Sequence, residues 1–157
     1  MVRSTPPRFR QEKSRYVATV DSRRARLLRL DPAPRGTERA EIVNEIEEVW
    51  IEKEYGRPVM VSRDGTRVSV RKDETDERRA RFARRVARWL GGEMERAGAE
   101  RVGVYCAPAL YGSFLRAIPK RLADRIDLHR RNASKLTPAR VAEETSEART
   151  KSRRTGT

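Results

Sequence analysis

Five arginines a helical turn or less apart are the residues in this chain best suited to chemistry: Arg78, Arg81, Arg84, Arg85 and Arg88. At 3.6 residues per turn they fall within an arc of roughly 120°. A guanidinium stays charged and donates two parallel hydrogen bonds, a geometry that matches phosphate. Helical spacing lets successive side chains reach successive phosphates, so the expected chemistry is the grip of a polyanion rather than bond-making. Lys120-Arg121 and Arg130-Arg131 are further basic pairs that extend the candidate patch. With six to eight such contacts, affinity should fall on the order of 100- to 1,000-fold or more across a fourfold rise in salt. The competing reading is a solvated helix face neutralised by the acidic segment 38–54 of the same chain.

Other candidates for chemistry are sparse, and no complete catalytic set is visible. Asp21 sits between two short apolar runs, where a metal-dependent nuclease would place its first carboxylate. Asp64 belongs to a turn, and Asp73, Glu74, Asp76 and Glu77 suit a helix start, so the further carboxylates of a two-metal site are missing and Asp21 reads as a turn residue. His129 is the lone histidine and Cys106 the lone cysteine, which argues against a metal cluster. His129 is expected half-exposed on a strand and Cys106 buried in one, as a small hydrophobe rather than a reactive thiol. No Gly-rich phosphate loop and no Ser/His/Asp set is present. No metal and no cofactor is expected.

Charge distribution sharpens the reading. The chain has 157 residues and a net charge of +14, and 31 of its 37 basic residues are arginine. Residues 38–54 carry seven acidic side chains against Arg39 and Lys53, −5 in all, which leaves +19 on the rest. Such asymmetry is the footprint of a polyanion partner, although an arginine-rich composition inherited from a GC-rich genome would also raise the count. With 38% charged and 6% aromatic residues, part of the chain is expected to stay unpacked. The length suits one domain. The single cysteine fits a reducing compartment. No stretch approaches the ~20 apolar residues of a membrane span, and the basic N-terminus lacks the apolar run of a signal peptide. A cytoplasmic protein without membrane contact is the expectation.

The elements that must position these residues follow from periodicity. Residues 1–15 read as a disordered basic arm, 16–145 as the domain and 146–157 as a disordered basic tail. Tyr16–Val20 and Ala25–Leu30 predict an antiparallel strand pair, broken after Pro32, Pro34 and Gly36. Within 41–51, Ile42, Ile46, Val49 and Trp50 fit a helical stripe, while the β-branched residues suit a strand; the periodicity favours helix. Val59–Val70 reads as a hairpin about Asp64-Gly65. The longest helix is predicted over 74–97, with Phe82, Val86, Trp89, Leu90 and Met94 on one side and Gly91-Gly92 kinking or ending it. Val102–Cys106 predicts a buried strand stopped at Ala107-Pro108. A Gly-bearing tight turn and then a helix follow, and Pro119 starts a second amphipathic piece ending at Ile126. Asp127–Arg131 predicts another strand, and Thr137-Pro138 the cap of a short helix to about Glu144.

Three of these places carry a family resemblance: Val20-Asp21-Ser22-Arg23-Arg24-Ala25-Arg26-Leu27-Leu28, Phe82-Ala83-Arg84-Arg85-Val86-Ala87-Arg88-Trp89-Leu90, and Val104-Tyr105-Cys106-Ala107-Pro108 with Gly112, Leu115-Arg116 and Leu136-Thr137. Together they resemble the bacterial host attachment family, proteins described as required for attachment to host cells, which is grouped with the middle domain of class-one peptide-chain release factors and Pelota. The resemblance implies a ribonuclease H-like α/β domain working at the ribosome or on RNA, and it tips the 41–51 segment towards strand. Release factors carry a Gly-Gly-Gln loop before the long helix; here Gly91-Gly92-Glu93 follows it with Glu for Gln, so the catalytic motif does not carry over.

The resulting expectation is one α/β domain with a mixed sheet of five or six strands flanked by helices. Its expected function is noncatalytic, RNA- or ribosome-associated, through Arg78, Arg81, Arg84, Arg85, Arg88, Lys120, Arg121, Arg130 and Arg131. The alternatives are a peptidyl-tRNA hydrolase or other ribosome-rescue enzyme using a loop at 52–58 or 71–77, and a protein-interaction role in attachment. In the latter the acidic segment 38–54 meets a basic partner or a second copy.

Overall fold

A computed structural model describes residues 14–33, 36, 38–48 and 69–155 of the chain. The first three strands, β1 (Arg15–Val20), β2 (Arg24–Asp31) and β3 (Arg39–Glu47), form an antiparallel meander. Helix α1 (Ser69–Ala97) leads to β4 (Val102–Cys106), α2 (Pro108–Ala117) and the single turn α3 (Lys120–Ala123). Strand β5 (Ile126–Arg130) and helix α4 (Pro138–Thr155) follow. The sheet runs β3-β2-β1-β4-β5; β4 is parallel to both β1 and β5, so β2 alone is reversed. This is the α/β domain expected, with five strands.

Alternation in the strands sorts the core onto two faces. Ala18, Val20, Ala25, Leu27, Val102, Val104 and Cys106 face Phe82, Val86, Leu90 and Met94 of α1 and Leu110 and Phe114 of α2. Val17, Leu28, Leu30 and Tyr105 face the other way, against Ala133 and against Val141 and Ala142 of α4. With both faces covered, the central strands read as nearly continuous apolar runs. The 41–47 part of the ambiguous segment is strand, at the edge of the sheet, and residues 49–51 lie outside the described residues.

Several expected boundaries move. The helix begins at Ser69, so the acids Glu74, Asp76 and Glu77 lie beyond its first turn, and 71–77 is helix rather than loop. The hairpin expected over 59–70 lies outside the described residues except for Ser69 and Val70, which are helical; the segment 52–58 also lies outside them. Gly91-Gly92 neither kinks nor ends α1. A Cβ on Gly91 would stand 3.0 Å from Leu122 Cδ1, so this glycine admits α3 close to the helix. Termination falls to Gly98, at φ +66°, where Ala99 N donates to Met94 O (2.9 Å) and Gly98 N to Glu95 O (3.2 Å), the Schellman pattern.

After β4 no tight turn intervenes, because Pro108 is itself the first residue of α2, where its missing N–H is harmless. The amphipathic piece after Pro119 is one helical turn, and Ile126 belongs to β5. Thr137 caps α4 as predicted, its Oγ1 accepting from Arg140 N at 3.3 Å, but the helix runs to Thr155 rather than to about Glu144. Arg15, assigned by sequence to the basic arm, instead opens β1.

Candidate functional site

Burial of one side of α1 dictates what the other side offers. Phe82, Val86, Leu90 and Met94 are each at most 2% exposed, and the opposite face leaves Arg81, Arg84, Arg85 and Arg88 in solvent. Arg81 pairs with Glu77 one turn earlier at 3.4 Å, an exposed pair worth a few tenths of a kcal/mol. The acidic segment is reached through Arg85, whose Nη1 donates to the Glu47 carbonyl at 3.2 Å. Arg78 departs from this face. It is half-buried, with Nε and Nη2 out of solvent, and it lines a cavity with Ser22, Arg23, Glu48, Thr75 and Arg79.

The remaining basic candidates do not join one patch. Lys120 and Arg121 are exposed on α3, which Leu122 seats on Gly91 of α1. Arg130 and Arg131 are successive residues at the end of β5 and leave by opposite faces. Arg130 stands 5.9 Å from the ring centroid of Tyr111 on α2, a cation–π contact, whereas Arg131 Nη2 pairs with Glu144 of α4 at 2.7 Å. Arg131 thus sits in an exposed ion pair whose carboxylate Arg140 also approaches, at 3.9 Å. The nine predicted residues divide into a four-arginine face on α1, a pair on α3, an arginine in the cavity and two at the end of β5.

Sequence reasoning missed a second group of arginines, on the α4 side of the sheet. Arg26 is 6% exposed. Its Nη2 donates to the carbonyls of Ser134 and Leu136, both at 2.9 Å. Arg24 Nη2 reaches the same Ser134 carbonyl at 2.7 Å, so the two guanidiniums fasten the β5–α4 connection to the sheet. Burial pushes the Arg26 guanidinium below its ordinary range, and the neighbouring Arg24 charge pushes the same way. Arg15 holds Glu38 at 2.8 Å and donates to Thr145 Oγ1 at 2.8 Å, tying β1 to both the start of β3 and α4. A signal existed: strand alternation puts Arg26 on the same face as Leu28 and Leu30, both fully buried.

Strand β3 is the acidic counterpart of α1. Glu41, Glu45 and Glu47 are exposed, and so are Ile42 (40%) and Val43 (41%). Its register against β2 shifts between Leu27 and Leu28, leaving Val43 as the extra residue of a bulge. Ala40 and Ile46 are half-buried against the core, and the exposed Asn44 donates through Nδ2 to the buried Glu93 of α1 at 2.9 Å.

The catalytic suspects have structural occupations. Asp21 Oδ1 accepts from Arg23 N and Arg24 N, both at 2.7 Å, and closes the β1–β2 turn. His129 is exposed and stacks on Tyr105 with ring centroids 4.7 Å apart. Burial raises the Tyr105 phenol, and it pushes the Cys106 thiol up to about 12, far from a reactive thiolate. Among the described residues no cluster of three or more His, Cys, Asp or Glu side chains could hold a metal ion, and no helix is long and apolar enough to cross a membrane.

The molecule is thus an α/β domain whose distinctive surfaces are a basic helix face and an acidic sheet edge. The family of the protein required for attachment to host cells matches it over residues 16–144, from the second residue of β1 into α4, and the chain belongs to that family. No curated protein matches it as a relative.

Proposed function

We propose that the chain is an interaction protein, acting by binding in the sense of the attachment its family description names, and that β3 carries the contact. The supporting observation is the edge position of β3 together with the exposure of Ile42 and Val43; among the described residues no strand pairs with its outer side. An edge strand presents main-chain donors and acceptors to which an extended partner segment can add. The bulge and the carboxylates Glu41, Glu45 and Glu47 work against a second copy, since like charges would stand opposite one another. An extended basic segment of a partner protein meets both the apolar pair and the carboxylates. The test is adherence to host cells by cells making an Ile42→Lys/Val43→Lys chain in place of the parent. We expect adherence to fall while the melting temperature and the amount of the chain hold; unchanged adherence sinks the assignment to β3.

A second reading is favoured by the exposed Arg81, Arg84, Arg85 and Arg88: a noncatalytic RNA- or ribosome-associated module on a release-factor-like scaffold without Gly-Gly-Gln. The strand order with β2 alone reversed suits the ribonuclease H-like scaffold that this reading invokes. Sedimentation through sucrose gradients at low and moderate salt tests it. Comigration with ribosomes that weakens steeply with salt and disappears in Arg81→Glu/Arg85→Glu supports it. A parent chain that stays in the light fractions at both salts removes it.

A further inference from the structure

We propose that the cavity between the β1–β2 turn, the end of β3 and the second and third turns of α1 is a binding site for phosphate or a terminal phosphoryl group. Ser22 and Arg23 line it from the turn, Glu48 from the end of β3, and Thr75, Arg78 and Arg79 from α1. Three arginines, a serine and a threonine thus line it with one glutamate, and with Asp76 beside Arg79 counted the charged side chains still sum to +1, a surplus that suits an oxyanion. This inference goes beyond the attachment reading and shares no residue with the Ile42–Val43 contact.

Size and rigidity point the same way. The cavity holds about 210 Å³. That is about seven water volumes, and it lies below the ~300 Å³ at which pockets for drug-sized ligands begin. A small polyatomic anion fits, with part of its hydration. Among the lining arginines Arg78 is half-buried, with Nε and Nη2 out of solvent, while Arg23 is exposed. Both strand-side walls are set before any ligand arrives. Asp21 Oδ1 fixes the Arg23 amide at 2.7 Å, and Glu48 N donates to Arg23 O at 2.8 Å. Arg79 stands 3.8 Å from Asp76, an ion pair beyond hydrogen-bonding distance. Glu48 selects within the oxyanions: its carboxylate accepts the proton of a hydrogen phosphate, which sulfate does not carry at neutral pH.

Titration calorimetry of the full chain with inorganic phosphate, with sulfate as control ion, tests the assignment. We expect one saturable phosphate site, sulfate weaker, and a loss of about tenfold or more in Arg23→Gln/Arg79→Gln, while Arg88→Gln binds as the parent does. Arg78→Gln should lose more. Because Arg78 is half-buried and that variant risks misfolding, the Arg23→Gln/Arg79→Gln pair decides the question. Absence of saturable binding, sulfate binding as tight as phosphate, or equal affinity in that double variant overturns the proposal. A short RNA with a 5′-phosphate, compared with its 5′-hydroxyl form, separates the sources. Extra affinity from the 5′-phosphate that free phosphate competes away identifies a nucleic-acid terminus. Equal affinity of the two RNAs, with phosphate still bound, identifies a small phosphorylated molecule.

Discussion

Arginines on the two sides of this sheet have opposite fates. On the α4 side, Arg15, Arg24, Arg26 and Arg131 each end on a carboxylate, carbonyl or hydroxyl of another element. On the outer face of α1, Arg81, Arg84, Arg85 and Arg88 stand in solvent, with contacts to Glu77 and the Glu47 carbonyl at the margin. The residue type and formal charge are the same, yet one group belongs to the architecture and the other to the surface. These contacts leave the net charge of +14 unchanged, but the guanidiniums a partner can engage are fewer than the count of arginines.

The comparison is most severely tested at Arg26. Arg26→Ala removes the Leu136 carbonyl's bond to Arg26 and leaves the Ser134 carbonyl with Arg24 alone, and should destabilise the fold by about 2–3 kcal/mol, whereas Arg84→Ala should stay within about 0.5 kcal/mol. Urea denaturation of the two variants side by side reads the difference, and equal midpoints would break the division. Arg15→Ala comes next, at about 1–2 kcal/mol, with faster amide hydrogen exchange in α4 as its local signature.

The smallest effect concerns Asp31. A hydrogen bond from the Ser14 hydroxyl holds its carboxyl below the usual range, and Arg29 adds to this. Since the folded value lies below the unfolded one of about 3.9, the stabilisation is present above that pH and is lost as pH falls through the folded value. Asp31→Asn should therefore flatten the acid limb of the stability profile below about pH 4 and leave its shape near neutrality unchanged. An unaltered acid limb would assign that limb to other carboxylates.

What was legible in the sequence was whatever repeats locally. Phe82, Val86, Leu90 and Met94 recur at helical spacing, and the runs at 16–20, 25–30 and 102–106 are apolar enough to fix β1, β2 and β4. What was not legible depended on contacts between elements. Gly91-Gly92 reads as a stop because glycine is poor in helices, and only the approach of Leu122 explains the first of the pair. Ser69 and Val70 read as strand through alternation, but residues adjoining a strong helix are drawn into it, each bringing one more hydrogen bond. The candidate site suffered most. Periodicity placed Arg81, Arg84, Arg85 and Arg88 on one face correctly, yet it also put Arg78 with them, and while strand alternation separates Arg130 from Arg131, nothing local reveals Tyr111 and Glu144 as their partners.

The bond from Arg15 to Thr145 joins residues 130 positions apart. During synthesis, β1 and β2 emerge early, but the helix that covers Val17, Leu28 and Leu30 is among the last segments described here to be made. Until then one face of the nascent sheet is bare and Arg15 lacks its Thr145 acceptor. Completion of this domain is thus a late event on the translating ribosome, and a pause before residue 145 would hold a half-covered, aggregation-prone sheet in the cell.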